Sequence, residues 1–142
     1  MNTDCLKIQT DFGPNPYVTN VAQKAIQNTT YRTALWTGCY AQMTLMSIPV
    51  CSDIGLEMHK DTDQFIRIEQ GIAQVKMGQC ENRLDFHIKA CVGDTIFVPA
   101  GTWHNVINVG RIPLKVSSIY APPHHPTGTV QYTKEDLEKT YY

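Results

Sequence analysis

The sequence predicts an all-β fold, an antiparallel sandwich or barrel with short helices near the termini. Segments rich in β-branched and aromatic residues recur from residue 31 onward, and glycine-containing turn signals separate them at hairpin spacing. Residues 84–89 alternate strictly between apolar and polar side chains, which is typical of a half-buried strand. Many short strands with frequent turns indicate a closed or double-layered antiparallel architecture.

Residues 1–30 are predicted to form an N-terminal arm. Glycine and proline interrupt its first half, and Asn15 followed by Pro16 suits the start of a helix. Apolar residues then recur at the spacing of one helical face from Val18 to Ala25. A short amphipathic helix is therefore expected to about Gln27, although the first part of this segment also suits a strand.

A single β domain is predicted over residues 31–121. The candidate strands are residues 33–36, 40–48, 55–59, 64–69, 72–77, 84–89, 95–98, 103–108 and 114–120. Residues 122–142 are expected to form a C-terminal tail. Within this tail Thr133 and Asp136 resemble a capping box, which predicts a short helix through Lys139.

Composition excludes several classes of partner. The 142 residues include 12 Lys and Arg against 13 Asp and Glu, so the net charge is -1 and no basic stripe indicates a nucleic-acid partner. No apolar run approaches the roughly 20 residues of a membrane helix, and the first residues lack the pattern of a secretory signal. Five widely spaced cysteines, an odd number, favour reduced thiols in a cytoplasmic protein.

Residues 93–108 carry the most specific motif of the chain, G-x5-P-x-G-x2-H-x3-N. Gly93 opens a predicted strand, Pro99 and Gly101 turn the backbone, and His104 follows on the next strand. A hairpin of this kind holds a histidine rigidly where it can bind a metal ion. The spacing resembles the second signature motif of the cupin superfamily.

Residues 57–71 resemble the first cupin motif, G-x5-H-x-H-x3-4-E-x6-G, with three departures. Aligned on Gly71, the two histidine positions hold Glu57 and His59, the glutamate position holds Gln64, and the leading glycine is replaced. Glu57 and His59 are two residues apart, so on a strand both side chains face the same side. Together with Gln64 and His104, these two residues form the predicted ligand set. The set carries one negative charge, as do the three histidines and one glutamate of the family.

This ligand set predicts one bound divalent metal ion. If Gln64 binds through its carbonyl oxygen, the set offers two nitrogen and two oxygen donors, which suit Zn, Mn, Fe or Ni. The competing interpretation is a barrel that has lost its metal, in which Gln64 is simply hydrogen-bonded to Glu57.

Further residues are candidates for the chemistry around the ion. Glu57, Asp61, Asp63 and His125 are the candidate catalytic residues, although Asp61 and Asp63 also suit a solvated turn. His124 and His125 follow two prolines and are expected in a surface loop; the alternative is that one of them folds over the barrel mouth as an acid or base. The predicted pocket wall is apolar and comprises Trp36, Tyr40, Met43, Phe65 and Trp103.

The resemblance covers about residues 31–121, and the phrases at residues 34–38, 46–49, 63–69 and 120–123 resemble single-domain, mannose-6-phosphate isomerase-like cupins. It implies a jelly-roll barrel (a double-stranded β-helix), a divalent metal and a homodimer. The expected function is a metal-dependent enzyme, isomerase-like or dioxygenase-like, acting on a small sugar or keto/enol compound. The alternative is a non-enzymatic domain that binds or senses a small molecule, because this fold hosts many functions.

Overall fold

The computed structural model describes residues 8–136, and these form one helix and nine strands. The helix α1 spans Val21–Gln27. The strands are β1 Arg32–Thr37, β2 Gln42–Ile48, β3 Asp63–Gln70, β4 Ala73–Gly78, β5 Phe86–Ala90, β6 Thr95–Val98, β7 Trp103–Asn108, β8 Leu114–Ala121 and β9 Val130–Gln131.

The strands form two antiparallel sheets that pack face to face. Six strands are ordered β6-β3-β8-β2-β1-β9, and three are ordered β5-β4-β7. Neighbours within a sheet are often distant in sequence, such as β3 and β8, so the chain crosses repeatedly from one sheet to the other. The predicted jelly-roll fold is confirmed.

Alternation along strands β3, β4 and β7 places an apolar row from each between the sheets. Ile66 and Ile68 of β3 and Val116 of β8 contribute from the larger sheet, and Val75 and Val106 contribute from the smaller one. All five are almost fully buried. Burying a side chain of this size contributes about 1.5–3 kcal/mol, so this layer is the main source of stability.

The helix begins later than the Asn15–Pro16 pair predicts. Its N-cap is Asn20, whose Oδ1 accepts a hydrogen bond from the Gln23 backbone N–H at 3.0 Å. Ala25 is the buried residue of α1 and packs against the outer face of the larger sheet. Val21, Ala22 and Ala25 of the predicted apolar face therefore lie in the helix, but Val18 precedes it and is 96% exposed, and the cap was predicted five residues too early.

Two predicted strands differ in the structure. Residues 55–59 form an extended segment with a single bridge, between Glu57 and His104, in place of a strand. The strand predicted at residues 84–89 is β5, which begins at Phe86, and its apolar side chains Phe86 and Ile88 are exposed. Because β5 is an edge strand of the smaller sheet, alternation alone did not ensure burial of one face.

The chain after residue 121 also departs from expectation. It contributes β9, which pairs with β1 and was not predicted. Thr133 and Asp136 lie in a turn in which the Asp136 carboxylate accepts the Thr133 backbone N–H, while the rest of the predicted helix, to Lys139, lies outside the described residues.

Four cysteines in the described part of the chain are free and exposed, at positions 39, 51, 80 and 91. Between residues 8 and 136 the fold contains no helix with the length and apolar character needed to span a bilayer.

Candidate metal centre

Two backbone hydrogen bonds bring the two predicted metal motifs together. Glu57 N donates to His104 O at 3.0 Å, and His104 N donates to Glu57 O at 2.9 Å. Residues paired in this way on antiparallel segments carry their side chains on the same face. A third bond, from Gly101 N to His59 O at 2.8 Å, holds His59 of the first motif against the turn that precedes His104 in the second motif. Gly101 has a φ of 81°, which glycine adopts without strain.

The side chains of Glu57, His59 and His104 converge as a result. Their potential ligand atoms all lie within 4.8 Å of one another. Glu57 Oε2 is 3.3 Å from His59 Nε2 and 3.9 Å from His104 Nε2. Two donors bound about 2.1 Å from one ion are separated by about 3.0–3.4 Å at angles of 90–109°. The group is therefore close to the spacing that a single cation requires.

His104 presents a lone pair to this group. It is fully buried, and its Nδ1 lies 2.9 Å from the carbonyl oxygen of Thr102. Since a carbonyl can only accept, Nδ1 carries the proton and Nε2 has its lone pair free for a ligand bond. Burial lowers the pKa of His104 despite the neighbouring carbonyl and Glu57. The neutral form that a metal ion needs is therefore favoured.

Glu57 is ionised in this setting. Burial raises its pKa, but contact with His59 and the charge of Arg32 outweigh that effect and hold the pKa below its usual value. Arg32 Nη2 lies 3.9 Å from Glu57 Oε1, and the Arg32 side chain is almost fully buried. Sequence reasoning missed Arg32, because nothing in its strand pattern marked it as functional.

Gln64 lies on the inner face of β3. Its backbone pairs with Tyr120 of β8, whose ring centroid is 5.8 Å from that of His59. Gln64 is nearly fully buried, and its Oε1 has no hydrogen-bond partner among residues 8–136. Gln64 therefore lies on β3 opposite Tyr120 of β8, and the Tyr120 ring contacts His59 of the cluster.

The residues present fit a divalent cation. The buried polar atoms that lack a hydrogen bond within residues 8–136 include His59 Nε2, His104 Nε2 and Gln64 Oε1. Buried polar atoms are almost always satisfied, so two orphaned imidazole nitrogens within 3.9 Å of one carboxylate oxygen call for a common positive partner. Imidazole, carboxylate and amide oxygen are all established donors to Zn, Mn, Fe or Ni.

The segment that follows β8 covers one side of the cluster. The His124 ring lies 4.1 Å from the His59 ring at an interplanar angle of 53°, and His124 itself is exposed. His125 is buried beside Tyr120, at a ring distance of 5.0 Å. Burial, together with the charge of Arg32, lowers the pKa of His125 to about 2. The surface loop expected for both residues is therefore wrong for His125, which is a neutral wall residue.

Gln42 fixes this segment to the barrel. Its Nε2 donates to His125 O at 2.9 Å, and its Oε1 accepts the backbone N–H groups of His124 and His125 at 3.2 and 2.9 Å. Gln42 is 1% exposed, so these bonds are shielded from water. The sequence did not single out this residue.

Two predicted catalytic carboxylates lie away from the cluster. Asp61 is exposed in the turn before β3. Asp63 is exposed as well, and its Oδ1 accepts a hydrogen bond from Ala100 N at 2.9 Å. Because Asp63 immediately precedes Gln64 on the strand, the two side chains point to opposite faces of the sheet. Asp63 thus links the start of β3 in the first motif to the turn at Ala100 in the second motif, on the face of the sheet opposite Gln64.

The predicted apolar pocket wall is not found at the cluster. Met43, Phe65 and Trp103 each adjoin a buried inward residue on their strands, so alternation turns them outward. Tyr40 is 86% exposed. The Trp36 indole donates to Asn15 O in the N-terminal arm. The cluster is instead surrounded by polar and aromatic side chains, namely Arg32, Tyr120, His124 and His125.

Comparisons with known proteins agree on the architecture. A family model described as a cupin domain matches residues 44–120. The YrkC protein of Bacillus subtilis is 56% identical over 126 residues, 89% of this chain and 68% of that protein. The L612 protein of Acanthamoeba polyphaga mimivirus is 40% identical over 115 residues, 80% of this chain and 70% of that protein. The crystal structure of BH2720 from Bacillus halodurans is similar with a TM-score of 0.88 and 52% identity, covering 89% of this chain and 96% of that one.

Proposed function

This chain belongs to the cupin domain family, and on that premise we propose that it is a metal-dependent enzyme acting on a small oxygenated molecule, a sugar or a keto/enol compound. The proposed ligands are Glu57, His59, His104 and Gln64. One observation carries the proposal: the buried Nε2 atoms of His59 and His104 face one carboxylate and make no hydrogen bond within the described chain.

The bound cation would supply Lewis acidity to substrate oxygens. The chain itself supplies a proton acceptor, because Glu57 turns Oε2 toward the histidines and Oε1 away from them, toward Arg32. The Glu57 side chain is 29% exposed, so a substrate can reach it from solvent. We assign Glu57 the role of moving a proton at Oε1 while Oε2 stays with the ligand group.

His124 and Tyr120 define the approach to this carboxylate. Both rings lie against His59, at 4.1 and 5.8 Å, and His124 is on the exposed side. Burial lowers the pKa of His124, so the imidazole is neutral near pH 7. It can therefore accept a proton or a hydrogen bond from a substrate entering over His59.

The proposal also includes a homodimer and a cytoplasmic location. The free, exposed cysteines of the described chain are compatible with a reducing compartment. Two exposed phenylalanines, Phe65 and Phe97, lie next to each other on the outer face of the larger sheet. Such an exposed aromatic pair suits an interface with a second copy.

Elemental analysis of protein purified without added metal tests the ligand assignment. We expect about one equivalent of a divalent metal in the wild type and in His87→Ala, a control on the exposed strand β5. His59→Ala and His104→Ala should each retain little metal. Equally low metal in the wild type and both cluster variants would contradict the proposal.

A second measurement distinguishes the proposed enzyme from a domain that only binds or senses a small molecule. The metal-loaded wild type is incubated with a panel of sugars and keto acids, in air and under nitrogen, and the products are identified. Conversion without oxygen supports an isomerase-like reaction, and conversion only in air supports a dioxygenase-like one. Tight binding of a compound that is returned unchanged would support a sensing domain instead.

A further inference from the structure

Arg32 is a buried cation beside the candidate metal centre. It opens strand β1, and only 5% of its surface is exposed. Its Nη1 donates to Gln131 Oε1, and its Nη2 lies 3.8 Å from Met46 Sδ and 3.9 Å from Glu57 Oε1. Its Nε–H, which is buried, has no hydrogen-bond partner among residues 8–136.

The charges around the cluster balance only without a metal ion. Glu57 is the single carboxylate of the cluster in the described chain, and the Arg32 guanidinium, always protonated, matches its charge. Coordinating histidines are neutral. A divalent cation therefore leaves two positive charges uncompensated in a largely buried site. Buried charge without a partner is unfavourable, so the loaded site favours an anion.

We propose that the substrate is a small carboxylate, a 2-hydroxy or 2-oxo acid, and that Arg32 determines this specificity. This inference rests on the proposed function and adds the chemical class of the substrate. A carboxylate with a neighbouring oxygen can offer both oxygens to the cation and remain within reach of the guanidinium. The unsatisfied Nε–H of Arg32 then gains an acceptor.

A purely structural role does not account for all of the Arg32 contacts. Its bond to Gln131 attaches strand β9 to β1, which uses Nη1 alone. A structural arginine would normally have every buried N–H paired, and the orphaned Nε is the exception. The proposal therefore predicts an effect on ligand selectivity that an anchor for β9 would not produce.

Calorimetric titration of the Zn²⁺-loaded protein tests the inference with matched ligands. Lactate and pyruvate are compared with their neutral amides, lactamide and pyruvamide, which have nearly the same size. We expect the acids to bind at least about tenfold more tightly than the amides, in line with a charge-assisted hydrogen bond. Arg32→Gln should weaken this preference, because it removes one of the two uncompensated positive charges, while metal content and amide affinity stay within about twofold of the wild type.

Two further variants control for charge and folding. Arg32→Lys keeps the charge and should keep part of the preference. Arg67→Gln removes an arginine whose side chain lies on the outer face of β3 near Glu69, and it should behave as the wild type. If Arg32→Gln does not fold, as judged by its circular dichroism melt, the acid–amide ratios of the wild type and of Arg32→Lys decide the question.

The outcomes separate this inference from the function on which it rests. Protein that takes up no metal contradicts both. Protein that loads metal but binds the acids no better than the amides, or binds neither, contradicts the carboxylate assignment alone. An Arg32→Gln variant that retains the full preference for acids contradicts the role of Arg32.

Discussion

Glu57 and His104, which are 47 positions apart in the sequence, exchange both of their backbone hydrogen bonds, at 3.0 and 2.9 Å. This pairing is an isolated bridge outside the regular strands. It places a carboxylate and an imidazole on the same face, with Oε2 and Nε2 3.9 Å apart. The geometry of the cluster is therefore set by backbone contacts and not by the side chains alone.

Glu57→Gln should destabilise the metal-free protein. The substitution leaves the Arg32 guanidinium without its anionic neighbour, at 3.9 Å in the wild type. We expect the free energy of unfolding to fall by about 1–2 kcal/mol, less than for a fully buried pair because the Glu57 side chain is 29% exposed. Urea denaturation of protein stripped with a chelator measures the change.

Matched variants complete this test. Glu81→Gln removes an exposed carboxylate and should leave the urea midpoint unchanged. The double variant Arg32→Gln/Glu57→Gln removes both charges and should recover part of the loss. An unchanged midpoint in Glu57→Gln alone would show that Arg32 does not depend on this carboxylate.

The fold was predictable where local pattern and burial coincide. Strands β6 and β7 match their predicted bounds, because alternation and the turn at Gly101 define them together. Strand β9 consists of Val130 and Gln131, too short to give a pattern, and it exists only through pairing with β1. The Glu57 segment is held by a single bridge, so alternation overstated its regularity.

The candidate site was predictable as far as the motifs reach. Glu57, His59 and His104 were identified by spacing, and the structure brings them together. Arg32 was missed because only the pairing of β1 within the larger sheet brings it near Glu57. The aromatic pocket failed for a different reason: Trp103 adjoins the buried His104, and neighbours on a strand face opposite sides.

Gln42→Ala should loosen the segment that carries His124 and His125. The substitution removes one acceptor and one donor that together make three shielded hydrogen bonds to the backbone of that segment. Leaving buried groups unsatisfied costs about 1–3 kcal/mol each, so we expect a total loss of about 2–4 kcal/mol. Urea denaturation measures the loss, with the exposed Gln79→Ala as the control.

The same Gln42 variant has a local readout. The imidazole resonances of His124 should shift in the NMR spectrum, because its ring is no longer held 4.1 Å from that of His59. A variant that is less stable but keeps the His124 resonances in place would mean that other contacts hold the segment.

Asp53→Asn should change the acid dependence of stability. Burial raises the pKa of Asp53, but bonds from Lys134 and Asn105 outweigh this and hold it below its usual value of 3.8. A depressed folded-state pKa stabilises the protein above the unfolded-state pKa, and that contribution disappears as the pH falls through the folded-state value. The wild type should therefore lose more stability than Asp53→Asn as the pH falls below about 4.

Thermal melts between pH 2.5 and 6 measure this difference. Asp85→Asn is the matched control, because Asp85 pairs with Arg83 at the surface and both side chains are more than three-quarters exposed. Its melting curve should follow that of the wild type over the whole range. Parallel curves for Asp53→Asn and the wild type would contradict the stabilising role of the Lys134 and Asn105 contacts.

Phe97→Glu should weaken the proposed homodimer. The Phe97 and Phe65 rings lie 5.2 Å apart on the outer face of the larger sheet, where 63% and 40% of their surfaces are exposed. If a second copy covers this face, burying a carboxylate there raises the dimer dissociation constant at least about tenfold. Sedimentation velocity should then show the wild type at twice the 16.0 kDa of one chain and the variant shifted toward the monomer.

Tyr40→Glu adds the same charge at an aromatic residue outside this face and should leave the dimer intact. An edge-to-face aromatic pair is stabilised when both rings are removed from water, which favours a covered face. If the wild type is nevertheless a monomer, another partner binds this face or none does.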